Sequence, residues 1–581
     1  MFKSLAGALL GALVLWGGLP RPAQARDLEL LEVYELVAAM VSRQNPFFLF
    51  PGLHFEHVTV NGDGGEYHVV INGLGLPGSS ATVPEPATLR LPRTVPDGDL
   101  IEVTVEGLPT STIMPEGQSL KLIAPEFSGV WSIKNRGFDS FELSVDSIRF
   151  QGAGISYTAK GLTSTLQREK GKHVLSFDVE RFVAEYGKSF TGTERAKSLN
   201  IELSFPEASD SGQVLVALAY RLSGLLFRET EIQQKLAPDP PEVSTMDGLQ
   251  ISIDFAGESW AQTVPPSEGT LGRTSLLFSV EPDEEADQSR LRIDATLASL
   301  TQTLDRMRVD VREPSTLVLA LAGMDSQVLA DLLLDRYEGF DAPALGQEVS
   351  LMLDVEVGDT SVAVPQLELD FTAKRLSGGL QSVPQSDGGQ NFEMTGAGEQ
   401  LNVANWLNKD ALEPFASMIL TPAMPQEAAI TLGLEGLSAE EVQGLLTAVL
   451  SLDFGDIGRA LPKDIASLTL VLKDSFYTSR LLQMEFSSRL KLRQGRIPVE
   501  GTMTMLTGPL APLQIGMQQS IGTPVPAVSQ AMSAGLLGLT LLQTFAVRED
   551  GGQLRFEMEF PETGGLPLVN GRPLPFQQFL R

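Results

Sequence analysis

The 581-residue chain contains no cysteine. That absence excludes disulfides, thiolate metal sites, a cysteine nucleophile and a lipid-acceptor cysteine behind a leader. Stability must come from burial, which a chain of this length can supply because larger domains bury a larger share of their surface. Basic residues are the minority, 43 against 73 acidic, for a formal charge of −30. Such a field repels phosphate backbones and anionic lipid surfaces, so no nucleic-acid partner is expected. The carboxylates are scattered rather than run together, as on an ordinary soluble surface. No apolar run of spanning length is uninterrupted; the nearest, Ala527 to Val547, is broken by Gln530, Ser533, Gln543 and Thr544. No transmembrane segment is expected in the mature chain.

Histidine is nearly as scarce, with His54, His57, His68 and His173 the whole set. Three of them flank Asn61-Gly62-Asp63-Gly64-Gly65, a loop whose residues accept positive φ cheaply and which predicts a hairpin between His54–Val60 and Glu66–Asn72. Setting Val58 and Val60 against Tyr67, Val69 and Ile71 makes the better apolar face. His57 and His68 then stand as diagonal neighbours on the wetter face, where Asp63 or Glu66 could complete a zinc site. No defined ligand spacing supports a metal, and surface histidines are the preferred reading.

Other chemistry is missing too. Gly257-Glu258-Ser259-Trp260-Ala261 resembles a nucleophile elbow, but Pro265-Pro266 forbids the helix that should follow and every histidine precedes Ser259. Neither a phosphate-binding glycine loop nor a dinucleotide fingerprint is present, so no cofactor is expected. Asp331 and Asp335 lie one helical turn apart, as on an exposed acidic face.

What is present begins with a leader. Lys3, the apolar stretch Leu5 to Leu19 and Arg21-Pro22-Ala23-Gln24-Ala25 follow the order of a cleavable signal peptide, 1–25, with cleavage after Ala25. Export without cysteine points to a bacterial periplasm. Asp27 to Ser42 has the spacing of an amphipathic helix, with Leu30, Val33, Leu36, Val37 and Met40 on one stripe.

From there the pattern is alternation. Strands are expected at, among others, 100–105, 140–150, 155–159, 173–179, 199–205, 213–221, 250–255, 275–280, 290–297, 349–357, 366–372, 467–472, 484–492, 499–505 and 553–560. Helices are fewer: 326–338, capped by Asp325 or Ser326; 438–452, opened by the capping box Ser438-Ala439-Glu440-Glu441; and 527–545, rich in small residues.

The chain also resembles itself. Ser156-Tyr157-Thr158-Ala159-Lys160-Gly161-Leu162 aligns without gaps to Asp370-Phe371-Thr372-Ala373-Lys374-Arg375-Leu376. The loops Thr263–Gly269 and Ser382–Gly388 form a second matched pair. Ala237-Pro238-Asp239-Pro240-Pro241-Glu242 reads as a link between an N-terminal half, 26–236, and a second half, 243–581.

The expected fold is therefore mainly β with some α: long curved antiparallel sheets built from repeated strand–loop–strand units, with a few packed amphipathic helices. The closing Asp550-Gly551-Gly552 and Val569-Asn570-Gly571-Arg572-Pro573-Leu574-Pro575 resemble the ends of large uncharacterised periplasmic domain-of-unknown-function proteins of Gram-negative bacteria. That resemblance implies no catalytic residues. The expected function is a non-enzymatic periplasmic envelope protein, a scaffold or a binder of an apolar ligand or lipid, whose partners are envelope proteins or lipid. A groove would be lined by alternate positions such as Leu351, Leu353 and Val355, or Leu367, Leu369 and Phe371; an ordinary dry core explains the same alternation. The alternative is a periplasmic hydrolase using carboxylates or the histidine hairpin.

Overall fold

Alternating segments fold as antiparallel strands, and the protein is mainly β with few helices. The computed structural model describes residues 26–34, 57–72, 86–206, 246–333, 349–404, 418–441, 468–521 and 525–573, apart from short breaks within these spans. The signal sequence, His54, the strand expected at 213–221 and the link 237–242 lie outside the described residues. The chain divides into two compact units, 1–184 with 202–243, and 185–201 with 244–581.

In the first unit, His57–Asp63, Glu66–Asn72, Ala87–Pro92, Leu100–Glu106, Ser119–Ser132, Gly137–Gly152 and Ile155–Glu169 pair in that order. Lys172–Tyr186 lies beside the last, where the Thr165 and Ser176 hydroxyls are 2.7 Å apart. Burial follows the period of two: Val69, Ile71, Leu89, Leu91, Ile101 and Val103 are all buried. Farther along, Phe127, Trp131, Phe138 and Phe141 interlock largely edge to face, the favoured aromatic geometry. The N-terminal segment is tied down by Arg26–Asp27 pairing with Thr94–Val95. A helical turn follows at 30–34, where Glu32 accepts the Glu29 N–H and pairs with Arg26. Val33 is buried there but Leu30, expected on the same stripe, is 52% exposed.

The second unit is a long antiparallel ladder. Gln250–Phe255, Thr274–Pro282, Gln288–Leu297, Ser315–Asp325, Ser350–Val357, Arg375–Pro384 and Gly389–Glu399 pair in sequence. Glu427–Ser438, Thr469–Thr478, Gln483–Leu492, Val499–Thr507 and Leu554–Phe560 continue it. Among the described residues the ladder is open, with no pairing between its first and last strands. A second ladder runs through Gly192–Ala196, Glu258–Thr263, Pro266–Leu271, Leu300–Leu304, Met307–Val311, Thr360–Val364, Leu369–Ala373 and Asn402–Ala404.

The two ladders share their chains. Gln250–Phe255 continues into Glu258–Thr263, Pro266–Leu271 into Thr274–Pro282, and so on, with breaks of a few residues that lie level across the sheet. Backbone hydrogen bonds bridge this crease, Lys197 to Gly257, Gly272 to Ser299, Arg312 to Asp359 and Lys374 to Glu399. Side-chain alternation does not pass through it in phase. The apolar face includes Leu271 and Thr274, Leu297 and Leu300, and Ala373 and Leu376, each pair three residues apart rather than two.

Two expected loops are corrected here. Pro266–Leu271, which overlaps the expected loop Thr263–Gly269 from Pro266 onward, is a strand, and Ser382-Val383-Pro384 ends the strand Arg375–Pro384. Turn-forming residues misled because neighbouring strands on both sides supply the hydrogen bonds that fix an extended backbone.

Helix α1 spans Ser326–Leu333, and Asp325 Oδ1 caps it by accepting the N–H groups of Gln327 and Val328. The Ser438 capping box forms, with reciprocal bonds between Ser438 and Glu441, but the helix beyond Glu441 lies outside the described residues. Helix α2, Ala511–Ser520, was not expected; α3 spans Pro526–Phe545.

Candidate functional site

The histidine hairpin forms with the expected faces: Val58 stands opposite Ile71 and Val60 opposite Val69. The expected neighbours, however, do not meet. His57 is opposite Asn72 and His68 opposite Asn61, so the two imidazoles share a face but are four residues apart along it, roughly 13 Å at ~3.3 Å per residue. The turn is only Gly64-Gly65, closed by the Asp63–Glu66 pair with Gly64 at φ 64°, which slips the register from the diagonal arrangement. His68 instead faces Arg90 on the next strand. His173 stacks on Phe205, with centroids 5.4 Å apart. Ser259 lies mid-strand, exposed, opposite Arg195 and Thr270 rather than on an elbow. Among the described residues no group of three or more His, Asp or Glu could hold a metal.

The apolar face of the long ladder is a different matter. Cα partners can be followed straight across it: Ile251, Phe278, Ile293, Leu319, Leu353, Leu380 and Met394. The same row continues through Leu432, Leu472, Ser488, Met503 and Met558. One serine interrupts eleven apolar side chains on twelve strands, a row about 50 Å long at ~4.8 Å per strand. Parallel rows carry Leu321, Leu351 and Phe392 on one side and Leu317, Val355 and Ile430 on the other.

Burial along this face is graded. At one end Leu351, Leu380, Phe392, Leu437 and Leu468 form a closed cluster. Toward the crease it opens: Met394 is 36% and Ile430 48% exposed. Among the described residues, no second layer of the kind that normally covers such a face lies over these two side chains. The opposite face carries the charge, in ion pairs such as Arg292–Asp294, Arg375–Glu356, Lys473–Glu393 and Arg489–Glu435.

Of the expected lining, Leu351, Leu353 and Val355 share this face, Leu351 at its closed end. Leu369 and Phe371 share the apolar face of the second ladder, in a row through Val309, Val362, Phe371 and Val403. Leu367 lies outside the described residues. That second row begins at Glu194, Trp260 and Gly269, where the indole lies against the glycine and donates to Ser267 Oγ at 3.3 Å. Glu258 stands diagonal to Glu194 on the same face. Burial, then a hydrogen bond and the like charge of Glu194, push its carboxyl up to about 7. This carboxyl pair escaped sequence reasoning because its members come from distant segments. The Ser488 hydroxyl, alone in its apolar row, is buried and has no hydrogen-bond partner.

The C-terminal motif is structural. Asn570 at φ 50° and Gly571 at φ 72° form a tight turn that pairs Val569 with Arg572. The Asn570 amide accepts the Glu557 N–H and donates to the carbonyls of Phe545 and Arg555, fastening the end of α3 to the last long strand.

No family model matches the chain, and neither a curated protein nor a solved structure matches it.

Proposed function

We propose that the protein is a non-enzymatic periplasmic envelope protein that holds lipid acyl chains along the open apolar face of its long ladder. The observation that carries this reading is the uninterrupted row from Ile251 to Met394, exposed at Met394 while the reverse face is charged. Burying apolar area is worth ~25 cal/mol per Å², so an acyl chain laid along the row gains at each strand it crosses without a specific polar contact. The burial gradient runs along the strands, so the acyl chain lies across them on the crease side of the row, with the closed Leu351–Phe392 cluster behind it. Periplasmic location is supported by the leader at 1–25, and duplication by the matched segments 156–162 and 370–376. Each segment carries one irregular position, a left-handed Gly161 (φ 60°) inside a continuous strand and the step at Lys374 between two strands.

The test is native mass spectrometry of protein purified from membranes, followed by titration of the delipidated protein with a fluorescent fatty acid. Co-purified phospholipid and saturable uptake are expected. A lipid-free protein that takes up no fatty acid would overturn the reading.

A further inference from the structure

Residues 501–547 contain no Asp, Glu, Lys, Arg or His, in a chain where 20% of residues are charged. This span holds α2 and α3. The helices pack on each other through Gly535, whose missing Cβ would lie 3.3 Å from Met517 Cε, and through the Gln514–Gln543 bond. Yet no residue of α3 is buried, and Leu537 is 64%, Leu541 39% and Leu542 44% exposed, with Ile515 of α2 54% exposed. The exposed surface of α3 is uncharged and sets these leucines among Gln530, Ser533, Thr540 and Thr544, a mix suited to the boundary between headgroups and acyl chains. Protein interfaces keep a polar, charged rim around their apolar centre. Here the helical surface itself carries no charge, and charge returns only past its end, at Arg548, Glu549 and Asp550, a distribution that suits contact with hydrocarbon.

Two further observations fit a bilayer. On their inner side Leu539 and Phe545 of α3 pack with Met505, Phe556 and Met558, and these three continue the apolar face of the ladder. The helix pair thus joins that face to the exposed leucines. At the end of α3, Arg548 is exposed beside Glu549 and Asp550, and Arg572 donates to the Thr544 carbonyl, so charge of both signs gathers at one end of the uncharged helix, as at the zwitterionic headgroup level beside an interfacial helix.

We propose that the α2–α3 pair docks on a lipid bilayer, with Leu537, Leu541 and Leu542 entering its acyl region beside the last strands of the ladder. The docking stands on the helices alone; its use for passing lipid rests on the acyl-binding reading above.

The test is flotation of the purified full-length protein with phosphatidylcholine–phosphatidylethanolamine vesicles. The wild-type protein floats at 0.15 M and 0.5 M salt alike, because the attraction is apolar, and Leu537→Gln with Leu541→Gln lowers partitioning tenfold or more. Failure of the wild type to float, or equal flotation of the variant, overturns the proposal. A Leu537→Trp variant gives a second readout: its emission shifts to the blue and is quenched by brominated lipid, and an unshifted spectrum refutes insertion. A dimer that the double substitution dissolves, with no vesicle binding, would make the surface a contact between copies and overturn the proposal. Fatty-acid uptake measured on the same double variant separates the two readings. Retained uptake with lost flotation assigns the loss to docking, whereas a wild type that floats without uptake keeps the docking and sinks the acyl-binding reading.

Discussion

Replacing Glu258 by glutamine should make the protein's stability less dependent on pH, and the sign follows from the site. The carboxyl lies on the apolar face of the second ladder, opposite Ala196 and Leu271 and diagonal to Glu194. Burial and Glu194 raise it from 4.5 to about 7. Between those values the folded protein holds a proton that the unfolded chain releases. Stability contributed by this group therefore falls as pH rises through that window and is level on either side. A full shift of that size corresponds to ~3.4 kcal/mol. Glu258 is only half-buried, and solvent screening reduces this to on the order of 1–2 kcal/mol. Glutamine matches the protonated form, so E258Q should leave stability unchanged at pH 4.5 and raise it by about 1–2 kcal/mol at pH 8. Urea unfolding followed by tryptophan fluorescence reads both, since Trp260 sits beside the pair. A difference between variant and wild type that is the same at both pH values would refute the reasoning.

Three further outcomes are expected. Ser488→Ala removes a buried hydroxyl with no partner and should stabilise by about 1 kcal/mol in the same unfolding measurement. Gly501→Ala forces a Cβ to within 2.1 Å of the Arg489 carbonyl oxygen at φ 130°, and should destabilise by ~3 kcal/mol or more or leave the protein insoluble. Asp325→Ala strips α1 of its cap and should cost about 1 kcal/mol, while Asp325→Asn, which keeps an accepting oxygen, should cost far less.

Strands with strict alternation were legible: Gln250–Phe255 forms with the expected bounds, and Val499–Thr507 runs only two residues past them. Arg375–Pro384 and Gly389–Glu399 were not, because Gly378, Gly379, Gly396 and Gly398 erase the alternation that marks a strand. They are extended because ladder neighbours on both sides hold them so. The hairpin face was legible from Val58, Val60, Val69 and Ile71, but its register depended on a turn of two residues where the sequence offered five. The crease was hidden for a similar reason: a three-residue step such as Leu297 to Leu300 reads locally as an interruption, and only the level alignment across strands gives it meaning. At the candidate site, Leu351, Leu353 and Val355 were found by alternation. The row through them, and its opening at Met394 and Ile430, required the pairing of strands far apart in sequence. Asp325 and the Ser438–Glu441 box were readable because caps are local chemistry.

Met394 and Thr395 are adjacent, both exposed, and point to opposite faces of the same strand. A photoreactive residue placed at each in turn, with a mass-tagged acyl lipid added to the delipidated protein, puts the central claim to its most direct test. Cross-linking at 394 and none at 395 is the predicted result; equal labelling at both positions, or none at 394, would contradict it.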